Sequence, residues 1–126
     1  MKRDWHLLGK IFTEIENEHF DEYFDGLKLE EQTKVLRHME LLIDAGYLTG
    51  IEIIYSNSGE PMYGTENGGV RITLDGYDFA ERVQDEKLLN KTMSLIKKAG
   101  LMVSMETLKY FTPVAVQSIV KTVTGG

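Results

Sequence analysis

The stretch from Leu29 to Gly46 constrains this chain more than any other. Val35, Leu36, Met39, Leu42 and Ile43 recur at three- and four-residue steps, which places them on one face of an α-helix. Gly46 stands where a helix would end in left-handed backbone, and the pattern then changes abruptly. Leu48, Ile51, Ile53, Ile54 and Tyr55 make residues 47–55 a β-favouring run. A helix with one apolar stripe that feeds straight into a strand needs other elements to cover both. Leu41 points to the other side of the helix, with Lys34 and Arg37, and a neighbouring element is expected to cover it.

The flanking sequence supplies the covering elements. Asp4 is predicted to cap a helix to about Glu16, with Trp5, Leu8, Ile11, Phe12 and Ile15 as its buried stripe. Residues 17–28 are acidic and aromatic and suit either a short helix or an edge strand. After the turn signal Ser56-Asn57-Ser58-Gly59, a second β-favouring run, Val70 to Leu74, follows Asn67-Gly68-Gly69. Antiparallel pairing of 47–55 with 70–74 predicts a hairpin whose long loop forms a wing. Asp75 is expected to cap one helix through about Lys98, with Gly100 as its stop. The last segment starts at a Ser104 cap and restarts at Thr112-Pro113, so a kinked or broken helix is expected. The β-branched residues from Val114 to Val123 leave a final strand open.

The predicted fold class is therefore α+β and mostly helical: a winged-helix-like domain with a β-hairpin wing over residues 1–98, and a C-terminal helical extension over 99–126. That extension packs on the domain or mediates dimerisation. At 126 residues, one core is the expectation. The chain has no cysteine, which excludes disulfides, thiolate metal sites and cysteine nucleophiles, and leaves the cytoplasm as the expected compartment. Its opening meets Asp4 and His6 at once, unlike a signal peptide, and is read as a mature start. Phe111 to Val123 is broken by Pro113, Gln117, Ser118 and Lys121 and falls short of the roughly 20 residues a membrane span needs.

Two resemblances sharpen this reading. The order helix, ambiguous segment, helix, strand, loop, strand, helix is that of a winged helix. The segment from Lys34 through Arg37, His38, Leu41, Ala45 and Gly46 to Leu48 resembles the recognition helix and following strand of bacterial winged-helix regulators. The opening Met1-Lys2-Arg3-Asp4-Trp5 and the run from Arg71 to Phe79 resemble a family of uncharacterised small proteins encoded by bacteria and their prophages. This second resemblance implies a fold and a mobile-element setting and transfers no catalytic residue.

The residues themselves point to binding rather than chemistry. His6, His19 and His38 lack the spacing that would put two ligands on one helical face, and no metal or cofactor is expected. For His38 the structural reading is a ring whose nitrogens are satisfied at a helix junction. The carboxylates fall in solvated runs, and neither a phosphate-binding glycine loop nor a nucleophile elbow is present, so the chain is not expected to be an enzyme. Charge is divided: residues 1–86 hold 8 basic and 19 acidic side chains, a net of −11, whereas 87–126 hold 6 basic and 1 acidic, a net of +5.

Two partners fit. Duplex DNA would be met by Lys34, Arg37 and His38 on the recognition helix and by Arg71 beside the wing, opposed by Glu30, Glu31, Glu40 and Asp44. A basic host protein would be met by Glu18, Asp21, Glu22, Tyr23 and Phe24. A homodimer through Tyr110, Phe111, Val116, Ile119 and Val120 is expected on either reading.

Overall fold

The Asp4 carboxylate accepts a hydrogen bond from the Leu7 amide and starts the first helix, α1 (Trp5–Glu16). The computed structural model describes residues 2–123, and the last three residues of the expected extension lie outside that range. A short helix, α2 (Phe20–Asp25), resolves the ambiguous acidic segment and carries Phe20 and Phe24 inward. The long helix α3 (Leu29–Asp44) follows, buries Val35, Leu36, His38, Met39 and Leu42, and is ended by Gly46 in left-handed backbone. Three helices thus meet in one apolar cluster.

Four strands come next: β1 (Leu48–Thr49), β2 (Ile51–Tyr55), β3 (Pro61–Thr65) and β4 (Arg71–Ile72). Here the expected pairing holds only in part. Leu48 and Thr49 do face Ile72 and Arg71, but Ile51 to Tyr55 pair with Pro61 to Thr65 in a hairpin of their own. The change of partner has a local cause. Gly50 adopts φ +79°, and a Cβ there would collide with the Gly69 carbonyl, so the strand bends just where its partner loops out between Glu66 and Val70. The hairpin of the fold is therefore β2–β3. Pro61 and Gly64 hide β3 from a reading by strand propensity, yet Pro61 takes the first strand position, where a missing N–H is tolerated.

The expected single helix over residues 75–98 is two: α4 (Leu74–Val83) and α5 (Glu86–Lys98). Asp85 breaks the run by accepting a hydrogen bond from the Leu88 amide as the cap of α5. Thr73, two residues before the expected Asp75, caps α4: its hydroxyl accepts from the Gly76 amide and donates to the Gly46 carbonyl, joining the end of α3 to the start of α4. The final stretch is one helix, α6 (Met105–Val123), with Pro113 in its interior, so no strand forms there. The α6 helix folds back on α5. Leu108 and Ala115 are buried on it, and Leu89, Thr92 and Ile96 on α5, so the expected extension shares the core of the body. The fold is mostly helical α+β. No described helix is long and apolar enough to cross a membrane.

One close crossing fixes how the two halves meet. Gly9, buried in the middle of α1, lies against the end of α4, and a Cβ there would collide with the Val83 carbonyl. In an exposed helix, Gly to Ala gains about 1 kcal/mol. At Gly9 the opposite sign is expected, because backbone cannot yield as a side chain does. Gly9→Ala should lose about 1–3 kcal/mol in a denaturant titration, and a gain in stability would show that α1 and α4 do not cross here.

Candidate functional site

The outward face of α3 is where a recognition helix would present its cations, and the fold uses those residues internally. His38 is fully buried. Its Nε2 accepts a hydrogen bond from the Asp4 amide at 2.9 Å, and its Nδ1–H donates to the Lys34 carbonyl at 2.8 Å. An amide can only donate and a carbonyl can only accept, so these partners fix the neutral tautomer with the proton on Nδ1. Lys34 extends from the same turn to the Asp4 carboxylate at 2.8 Å. Arg37 lies 5.9 Å from the centre of the Tyr55 ring on the hairpin, and the Tyr55 hydroxyl donates to Glu40.

Burial of the ring holds the His38 pKa below the ordinary 6.5, outweighing the opposing effects of the Lys34 carbonyl and the Asp4 charge. For Asp4, burial alone would raise the pKa. The Lys34 ammonium and the Leu7 amide together reverse that and hold the carboxyl below its usual range.

Arg71, the fourth cation of the DNA reading, is elsewhere. It lines an open cleft of about 570 Å³ together with Glu16, Glu18, Phe20, Asp21 and Tyr77. Lys34 is bound at the first residue of the α1 cap and Arg71 sits near the other end of that helix. Twelve residues at about 1.5 Å each separate the two by roughly 18 Å. Of the four cations of the nucleic-acid set, His38 is inside, Lys34 and Arg37 are exposed on α3, and Arg71 lies apart from them at the cleft.

The acidic set is partly rearranged as well. Glu18, Asp21 and Glu22 are exposed, but Phe24 is buried, stacked on Phe20 at 5.8 Å and edge-on to Tyr63 at 5.1 Å. Tyr23 is half-buried beneath the Lys10 ammonium. The aromatic pair is thus structural for α2 and the hairpin, because these rings supply the apolar contact that a six-residue helix lacks on its own. The Tyr63 hydroxyl donates to Asp21 at 2.7 Å, and burial together with that carboxylate pushes its pKa up. Glu16 and Gln84 are hydrogen-bonded across the rear of the cleft. Glu18, at φ +58°, turns the chain from α1 into α2.

Of the expected dimer residues, Tyr110, Val116 and Val120 are exposed on α6, whereas Phe111 and Ile119 are half-buried toward the body. Among the described residues no three histidine, aspartate or glutamate side chains are grouped to hold a metal ion. The cleft itself left no motif in the sequence. Its walls are brought together by long-range packing, including the α1–α4 crossing and the β1–β4 pairing.

Residues 2–102 match the family model described as Hypothetical protein (DUF2513), a span that takes in α1 to α5 and stops short of α6. No curated protein and no solved structure matches the chain.

The buried ring makes stability depend on pH with a definite sign. Its folded pKa is depressed, so the unfolded chain binds the extra proton first, and stability is lost as pH falls from about 6.5 toward the folded value. Urea midpoints are expected to be level from pH 8 to 7 and to drop below 6.5. In His38→Asn that drop should vanish from an already less stable protein. Identical pH profiles for the two proteins would show that His38 titrates as if exposed.

Proposed function

The chain belongs to the DUF2513 family, and from its geometry we propose that it is a non-enzymatic protein-binding module that engages a basic partner at the cleft between α1–α2 and β4. One observation carries this reading: three carboxylates, Glu16, Glu18 and Asp21, surround an open cleft whose walls include Ile15, Phe20, Val70 and Ile72. A lysine or arginine side chain has an apolar stem and a charged tip. The cleft offers surface for the stem and carboxylates for the tip. The net −11 of residues 1–86 would steer such a partner toward the body and would repel phosphate.

The winged-helix order of the elements favours DNA as the competing partner, and the placement of the cations weighs against it. Freeing Lys34 for a phosphate would leave Asp4, Glu30 and Glu31 around it. Phosphate neutralisation supplies most non-specific affinity for duplexes, and this face has little to give.

Fluorescence anisotropy with a labelled arginine-rich peptide and a labelled duplex at low salt separates the two. The peptide should bind, and Glu16→Gln/Glu18→Gln/Asp21→Asn should weaken it about tenfold, a loss of about 1.4 kcal/mol. Neutralising an equal number of charges on α3, with Glu30→Gln/Glu31→Gln/Asp44→Asn, should change it by less than about twofold, which removes bulk charge as the explanation. Equal losses from both variants would reject the cleft. Salt-sensitive duplex binding that disappears in Lys34→Glu/Arg37→Glu would replace this reading with the DNA one.

A further inference from the structure

Between the start of α5 and the end of α6 lies an open pocket of about 410 Å³. Two pairs of side chains, each four residues apart on its helix, line it: Lys87 and Lys91 from α5, Ser118 and Thr122 from α6. Asn90 and Ile119 complete the lining, so no described carboxylate is part of it. The pocket shares no residue with the acidic cleft. His6, near the start of α1, is hydrogen-bonded to Asn90 at 2.7 Å, whereas Ile15 and Glu16, at the other end of α1, line the cleft.

The two lysines stand where the fold gives them nothing to pair with. Like charges four residues apart on one helix repel each other. Among the described residues neither lysine forms an ion pair, although Lys91 is half-buried. No residue three or four positions from either one is acidic. Asp85 is occupied as the cap of α5, and Glu86 does not line the pocket. Glu106, the only carboxylate of residues 87–126, is twelve residues from Ser118, roughly 18 Å along α6. The neutral groups add donors to this uncompensated charge. The Asn90 side-chain oxygen can only accept and is taken by the His6 ring, which leaves its NH₂ to offer. The Thr122 hydroxyl donates to the Ser118 carbonyl at 3.0 Å, so the hydroxyl donor that α6 offers is that of Ser118.

We infer that this pocket binds a small organic phosphate monoester, its phosphate between the Lys87 and Lys91 ammonium groups and its organic part against Ile119, with Asn90 and Ser118 as further donors. Charge selects the class. A phosphate monoester carries about −1.5 to −2 at pH 7, which two ammonium groups match, whereas a sulfate ester or a phosphodiester carries a single charge. Size selects the organic part, because the volume lies within the roughly 300–1,000 Å³ of small-molecule sites and exceeds what a bare phosphate fills. A long polyanion fits less well, since it would extend over a body whose residues 1–86 carry a net −11.

Titration of the ¹⁵N-labelled full chain with phenyl phosphate, well above the ligand's second pKa of about 6, tests this. Saturable amide shifts are expected at residues 87–91 and 118–122, with a Kd below about 1 mM. Phenyl sulfate, the same shape with a single charge, should bind at least about fivefold more weakly, and so should inorganic phosphate, which lacks the organic part. Lys87→Gln/Lys91→Gln should weaken phenyl phosphate at least about tenfold with the melting temperature retained, because it removes a like-charge pair and no core contact. Lys97→Gln/Lys98→Gln, which removes the same charge at the other end of α5, should change it by less than about twofold. No saturable shift up to about 10 mM, shifts confined to other residues, or equal losses from the two lysine pairs would overturn the pocket. Equal affinity for phenyl sulfate would overturn the phosphate monoester, and equal affinity for inorganic phosphate the organic part.

Discussion

The hydrogen bond from the Asp4 amide to the buried ring of His38 is the contact on which the arrangement of the helices depends. It fastens the first residues of α1 to the middle of α3, and the same two residues then recruit Leu7 and Lys34. The magnitudes decide which part of this network matters. The Lys34–Asp4 pair is about half exposed and of a kind worth about 0–1 kcal/mol. An orphaned nitrogen on a fully buried ring would cost about 1–3 kcal/mol. The histidine therefore holds the helices and the ion pair follows from the geometry. With α1 fixed in this way, Gly9 lies where α4 can cross it backbone to backbone, and the crossing sets one wall of the acidic cleft.

This constraint also shapes function. A recognition helix must leave its polar groups free for a groove, and α3 directs His38 inward, Lys34 to the α1 cap and Arg37 over the Tyr55 ring. What remains on its surface is mainly carboxylate. The exposed features that the core does not explain lie away from α3, in the cleft beside α2 and on the outer face of α6. A helical trio with a hairpin does not by itself decide a partner, because function resides in the groups left outside the core.

The parts of the structure that follow a local period were legible in the sequence. The α1 and α3 stripes, the Asp4 cap and the Gly46 stop each depend on residues within a few positions of one another, and they fold as read. The break between α4 and α5 was missed because the helical pattern of Ala80, Val83, Leu89 and Met93 runs on across it, while the signal that interrupts it is the single carboxylate of Asp85. The β3 strand was missed because Pro61 and Gly64 are poor strand formers, and tertiary packing of Tyr63 against Phe20 and Phe24 overrode that preference. The acidic cleft was the least legible feature. Glu18 and Arg71 stand more than fifty residues apart, and only the folded chain brings them to one cleft. The nitrogens of His38 were anticipated as satisfied at a helix junction, but not that Asp4 would be the partner across it.

The central claim is that the polar residues of α3 serve the fold, and the protonation state of one ring tests it most directly. Long-range ¹H–¹⁵N correlation spectra of the imidazole nitrogens distinguish the two neutral tautomers and the cation. The account predicts that His38 carries its proton on Nδ1 and stays neutral at pH values where an exposed imidazole, with a pKa of about 6.5, is already charged. A His38 ring protonated on Nε2, or one that titrates like an exposed imidazole, would contradict it and return the residue to the surface.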